Sequence, residues 1–361
     1  MVIAVNAGGV KKGNGLLVYN VECLDIGLTT RCNAGCPQCA RTDPSKAKAW
    51  DWLKMEEITL DNIKTIAPIE VVKNLKRVSL CGGYGDPLLA RDVQPIIRYF
   101  LENNDKLELY ISTNGGMKKP TKWWHQLGRL LKGRKCKVTF GIDGINQEQH
   151  SRYRIHTDIN VIFRNVEILQ MYKVPCCWQY LIFNYNKDDL ETARQMAKEK
   201  KFVEFLPITT TRMPVGEHGP PDVDFYYSAN PREAFNKRRK LEYDYIDCFV
   251  KKDKEVHINA SGVVVPCCYT DMIFHSYRYY ENLEKWALSR SGTGEYVEQH
   301  VSDMQNMYVN EGLSTEVLLD QFNSKKHGLK GVLSNPWWDK FFNMSEDMKI
   351  NKCNDLCGKC R

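Results

Sequence analysis

The chain has 361 residues, 43% of them hydrophobic and 11% aromatic, which is enough apolar material for one large domain or two smaller ones. Its net charge of +7 is a mild excess over well-mixed charges of both signs; this argues against disorder and suits an anionic partner no better than a solvated surface. No apolar run approaches a membrane span, and the opening MVIAVNAGGVKKGNG is too short in apolar residues for a signal peptide. A reducing cytosol is therefore the expected compartment. There the fourteen cysteines point to metal rather than to disulfides.

After an N-terminal extension (1–19), residues 20–212 alternate short apolar strands with amphipathic helices. The strands are expected at Cys23–Thr29, Arg77–Leu80, Leu107–Ser112, Lys137–Ile142, Trp178–Phe183 and Val203–Pro207. Between them, Val93, Ile96, Ile97, Phe100 and Leu101 recur at helical spacing. So do Leu127, Leu130 and Leu131, then Ile159, Ile162, Phe163 and Val166, then Leu190, Ala193 and Ala197. Such alternation predicts an α/β fold with a parallel sheet, and six units predict a partial (β/α)6 barrel rather than a closed eight-stranded one. Residues 213–247, rich in Pro, Gly and Asp, are expected to form a linker or active-site flap; their basic run Lys237–Lys240 reads as a solvated helix face. Residues 248–361 are expected to be a second domain, a small β-hairpin plus helices. Its stretch 280–342 reads as a helical lid or packing surface, with Trp337 and Trp338 in a core.

The chemistry is carried by cysteines. Thr29–Arg41, TTRCNAGCPQCAR, places Cys32, Cys36 and Cys39 as C-x3-C-x2-C just after the first strand. Three thiolates from one loop can hold three irons of a [4Fe–4S] cluster and leave the fourth iron open. Zinc is the rival reading, but structural zinc wants four ligands, usually as two pairs. Three further motifs end later strands in order: Leu80–Leu89, LCGGYGDPLL; Tyr110–Gly116, YISTNGG; and Thr139–Gly144, TFGIDG. Alone, each would be a turn.

Together, these four motifs resemble those of radical S-adenosylmethionine (radical SAM) enzymes. The resemblance implies that Cys32, Cys36 and Cys39 hold a [4Fe–4S] cluster whose open iron binds SAM. It places Gly82 and Gly83 where glycine backbone approaches the methionine amino group, and Ser112 and Asn114 near ribose or carboxylate. Asp86 stands where many members have Glu, and Asp143 and Arg154 join the cofactor side. The family's aromatic residue before the third cysteine is replaced here by Gln38.

A second set, Cys248, Gly262 and Cys267 in C-x13-G-x4-C spacing followed by Cys353, Cys357 and Cys360, is similar to the SPASM and twitch auxiliary-cluster domains. That likeness implies one auxiliary [4Fe–4S] cluster on Cys248, Cys267, Cys357 and Cys360, used for electron transfer. On spacing alone a zinc knuckle stays open, as does Cys268 in place of Cys267, with Cys353 spare. Cys23, Cys81, Cys136, Cys176 and Cys177 read as buried thiols acting as small hydrophobes.

The resemblance implies reductive SAM cleavage to a 5′-deoxyadenosyl radical that takes hydrogen from a substrate, with flavodoxin or ferredoxin as reductant. A peptide or protein side chain is the first expectation for that substrate. A nucleotide, nucleic acid or sugar is the alternative, and a non-enzymatic, zinc-bearing nucleic-acid-binding module is the third reading. Residues expected at the barrel mouth are Tyr84, Asp143, Arg154, Gln179, Tyr180 and Arg212, the two arginines able to clamp a carboxylate or phosphate.

Overall fold

The computed structural model describes residues 21–183, 185–209, 245–246, 248–279, 301–303, 305–343 and 358–359. All six expected strands are present: β1 (Cys23–Ile26), β2 (Arg77–Leu80), β3 (Glu108–Thr113), β4 (Cys136–Gly141), β5 (Cys176–Ile182) and β6 (Glu204–Thr209). They pair in parallel and in chain order. Between and beside them run α1 (Leu60–Ile66), α2 (Val93–Asn103), α3 (Thr121–Leu131), α4 (Gln147–Tyr153), α5 (Ile159–Met171) and α6 (Leu190–Glu199). Capping fixes where these helices start. Thr59 and Asn62 form a reciprocal capping box on α1, and Asp158 accepts from two backbone amides of α5.

Alternation along the strands sorts the two faces of the sheet. Val78, Leu80, Leu109, Ile111, Val138, Phe140 and Trp178 are buried beneath the helices. The opposite, inner face carries Ser79, Tyr110, Ser112, Lys137, Thr139 and Gln179, all half-buried or exposed. Register aligns them in rows: Ser79 with Tyr110 and Lys137, and Ser112 with Thr139. Tyr180 departs from its expected place at the mouth. It lies fully buried on the helix side and donates its hydroxyl to the Asn186 carbonyl, because it has the opposite parity to Gln179.

The sheet is extended at its β1 edge, by strands that come after the barrel in sequence. β7 (Glu255–Ile258) and β8 (Val264–Val265) form a hairpin turned at Gly262, where φ is +93°. β7 then lies parallel to β1, with His257 in register with Asp25. The sheet order is thus β8-β7-β1-β2-β3-β4-β5-β6, open at both edges among the described residues. After the hairpin come α7 (Cys268–Arg278), α8 (Thr315–Gln321), α9 (Ser324–Leu333) and α10 (Pro336–Asn343). α9 packs on α1, and Lys325 donates to the carbonyls of Glu57 and Ala260, stapling hairpin to barrel. Trp337 and Trp338 are buried against Phe322, so this stretch adds to the core. A short antiparallel ladder joins Tyr245–Ile246 to Gly358–Lys359. No helix among the described residues is long and apolar enough to cross a membrane.

Candidate active site

The loop after β1 carries Cys32, Cys36 and Cys39. Its shape is set by backbone bonds: the Cys39 amide donates to the Cys36 carbonyl and the Gly35 amide to that of Ile155, both at 3.0 Å. Arg41, buried, donates from Nε to the Thr30 carbonyl and draws the loop's two ends together. Cys36 packs with Ala34, Tyr153 and Phe183, and Cys32 and Cys39 lie against the same small cluster. Three N–H groups point at the sulfurs. The Ala34 amide and Asn114 Nδ2 lie 3.4 and 3.5 Å from Cys32 Sγ, and Arg154 Nη1 lies 4.0 Å from Cys36 Sγ.

Burial first, then the nearby Asp86 and the other two thiols, raise the Cys32 pKa, so a metal-free thiol here stays protonated. Metal binding reverses that preference by stabilising thiolate. Three cysteines on one loop packed against the same small cluster, with N–H donors aimed at the Cys32 and Cys36 sulfurs, fit a [4Fe–4S] cluster.

The second motif acts as a tie between loops. Gly82 and Gly83 are exposed, leaving their backbone open to a ligand. Gly85 is the tightly packed glycine: a Cβ there would stand 2.0 Å from the Thr29 carbonyl oxygen. Asp86 is buried, and both its oxygens are engaged by the protein. It accepts from Thr113 Oγ1 at 2.9 Å, from the Asn114 amide and Nδ2 at 2.8 Å each, and from the Leu88 amide at 3.1 Å. Its own amide donates to the Arg31 carbonyl. Burial raises its carboxyl pKa against the pull of those donors. Asn114 is thereby held with Nδ2 shared among Cys32, Asn33 and Asp86. Ser112 stands exposed on the inner face.

At the end of β4, Asp143 is fully buried and accepts from Arg154 Nε at 2.6 Å and from the Leu181 amide at 2.7 Å. Burial raises the Asp143 pKa, with the Arg154 guanidinium pulling the other way. Arg154 is thus ion-paired within the protein, with Nη1 left toward Cys36. His150 receives the Asp143 amide at Nδ1 and meets Thr157 Oγ1 at Nε2, 2.8 Å away. Burial, then the Arg154 charge, lower its pKa from 6.5 to about 3. Gln179 remains half-buried on the inner face, Tyr84 is buried with its ring 3.9 Å from that of His275, and Arg212 lies outside the described residues.

Where β7 joins β1, the structure assembles a polar knot that spacing did not predict. His257 Nδ1 lies 3.0 Å from Asp25 Oδ2 and Nε2 3.5 Å from Asp271 Oδ2; His275 Nε2 reaches the same oxygen at 3.6 Å. Burial alone would lower the His257 pKa, but Asp25 beside it, helped by Asp271, raises it well above 6.5. Cys81 joins this knot and is half-buried, a polar setting where a small buried hydrophobe was expected. A lone Asp within the apolar strand CLDI was the one available signal. Cys267 is buried at the N-cap of α7, and Cys248 is half-buried at the start of a short helix; Cys353, Cys357 and Cys360 lie outside the described residues.

Residues 26–197 match the model of the Radical SAM superfamily. Among curated proteins, the chain is similar to a GTP 3′,8-cyclase of Syntrophomonas wolfei, 25% identical over 52% of this chain and 56% of that one. It is also similar to a GTP 3′,8-cyclase of Sulfurimonas denitrificans, 21% identical over 70% and 81%. Among solved structures, Streptococcus suis SuiB bound to S-adenosylmethionine aligns with a TM-score of 0.49 at 12% identity, over 69% of this chain and 60% of that one.

Proposed function

We propose that this chain, which carries a radical SAM domain, cleaves SAM reductively at Cys32, Cys36 and Cys39 and directs the radical at a C–H bond of a nucleotide-class substrate. The observation that carries the reading is the set of N–H groups from Ala34, Asn114 and Arg154 aimed at the Cys32 and Cys36 sulfurs, at the open end of a polar-faced sheet. When bound, the [4Fe–4S] cluster supplies one electron to the SAM sulfonium, giving methionine and the 5′-deoxyadenosyl radical. Asn114 and Arg154 disperse negative charge on the sulfurs. The exposed backbone of Gly82 and Gly83 would receive the methionine amino group, and Ser112 would meet the ribose or carboxylate. Asp86 and Asp143 are positioning residues: one orients Asn114, the other Arg154. The protein's share of the chemistry is holding the target carbon near the radical and away from water.

The curated relatives, both named for a reaction of GTP, lean toward a nucleotide rather than the peptide side chain first expected. An inner face bearing Ser112, Thr139 and Gln179 suits a small polar substrate. The test is anaerobic protein with dithionite and SAM, offered nucleoside triphosphates or peptides deuterated at carbon. Deuterium appearing in 5′-deoxyadenosine from a nucleotide supports the reading, and transfer from peptides alone restores the first expectation. Stoichiometric zinc without acid-labile sulfide would sink both.

The auxiliary [4Fe–4S] cluster on Cys248, Cys267, Cys357 and Cys360 is part of the same proposal, with an external flavodoxin or ferredoxin as reductant. The ladder between Tyr245–Ile246 and Gly358–Lys359 supports it, since these strands sit next to Cys248 and between Cys357 and Cys360 in sequence. The Gly262 turn likewise leads the chain to Cys267.

A further inference from the structure

We propose that Asp25, Cys81 and His257 form a site for one zinc ion, separate from the cysteine sets and independent of the radical reading above. Their ligand atoms, a carboxylate oxygen, a thiol sulfur and an imidazole nitrogen, all lie within 4.8 Å of one another. They come from the adjacent strands β1 and β7 and from the residue directly after β2, so sheet register holds them in place.

One observation points to a bound cation beyond a hydrogen-bond knot, and a second shows how the site would hold it. Asp25 is buried, yet its Oδ1 has no hydrogen-bond partner. Such an orphan is costly in a native interior unless something else satisfies it. The second is the ring of His257, whose two nitrogens face different carboxylates. Nδ1 is turned to Asp25, while Nε2 is 3.5 Å from Asp271 Oδ2, and Asp271 Oδ1 is itself held by Asn259 Nδ2 at 2.8 Å. A ligating histidine whose far nitrogen donates to an anchored carboxylate is the arrangement that fixes tautomer and ring orientation at metal centres.

The mixed donor set selects the metal. Calcium and magnesium take oxygen ligands, and iron–sulfur clusters want several thiolates, whereas one sulfur, one nitrogen and one oxygen suit tetrahedral zinc. Three protein donors leave a fourth position for water or a substrate oxygen. Cys81 is half-buried and followed by the exposed Gly82 and Gly83, so the site borders the open side of the sheet.

The experiment uses the full chain, purified anaerobically from zinc-supplemented medium, with elemental analysis and zinc K-edge absorption; the iron does not interfere at that edge. About one zinc per chain is expected, with one sulfur and three nitrogen or oxygen neighbours. Replacing Cys32, Cys36 and Cys39 together should leave this zinc in place. Cys81→Ser and His257→Gln should release it to a weak chelator, and Asp271→Asn should weaken affinity by about 10–100-fold. Circular dichroism on each variant verifies folding, and the conservative Asp271→Asn keeps the test informative if His257→Gln unfolds. Absence of stoichiometric zinc, an all-sulfur first shell, or zinc kept by Cys81→Ser but lost from Cys268→Ser would each overturn the assignment.

Discussion

At the open end of β1 to β4, the groups that surround the Cys32 loop come from segments that follow their strands directly, and one buried carboxylate, Asp86, ties three of those segments together. At the β7 edge, the comparable knot of Asp25, Cys81, His257 and Asp271 is drawn from places far apart in sequence, its central pair separated by 232 residues. The first region is organised by backbone contacts within short loops. The second is organised by the register of two parallel strands. Local order makes a site that single residues orient, whereas register makes one that stands or falls with the pairing of the sheet.

The largest test of this contrast removes the first site alone. Cys32, Cys36 and Cys39 changed together to Ala should abolish 5′-deoxyadenosine formation under dithionite and leave roughly half the iron, because separate ligand sets fold around separate metal centres. Residual cleavage would mean that SAM binds elsewhere.

Next come two stability losses of similar size with opposite consequences for chemistry. Arg154→Leu leaves Asp143 buried without its cation and should cost about 3–5 kcal/mol. Trp338→Ala opens a cavity in the C-terminal core and should cost about 3–5 kcal/mol as well. Denaturant titration measures both. Only the Arg154 variant should also slow SAM cleavage; equal slowing by both would erase the distinction between the regions.

A smaller effect sharpens the first region through pH. The folded-state pKa of His150 falls from 6.5 to about 3, so on acidification the unfolded chain takes up the proton first. Its contribution is complete above pH 6.5 and declines toward pH 3 by about 1.4 kcal/mol per pH unit. His150→Gln should flatten that limb of the stability profile measured by urea midpoints.

The smallest effect lies on the inner face, away from both sites. Lys137 and Glu204 pair at 2.7 Å, but each is about two-fifths exposed. A double-mutant cycle should give coupling below about 1 kcal/mol, reduced further by salt.

Much of the barrel was legible because its signals are local. The strand at Arg77–Leu80 has the bounds expected for it, and the other five differ by a few residues at their ends. Just past the end of β1 the Gly27 amide still donates to the Ile258 carbonyl, a partner no window around residue 27 contains. The three cysteines were legible because their spacing is itself the motif. Tyr180 was misplaced by one position of strand parity. Asp86 and Arg154 were found as residues, but the hydrogen bonds that turn them inward depend on which loops meet. The Asp25–His257 pairing could not be read, since nothing near either residue specifies a parallel partner so distant.

The seating of β7 beside β1 also dictates an order of events during folding. While residues up to about 209 are available, β1 presents one edge of unpaired amides and carbonyls, the kind of surface that recruits another chain. Only after residues 255–258 emerge can that edge close, and such distant parallel pairing is intrinsically slow. The nascent protein therefore passes through an interval with a nearly complete sheet and an additional open border at β1, when chaperones would bind it most productively.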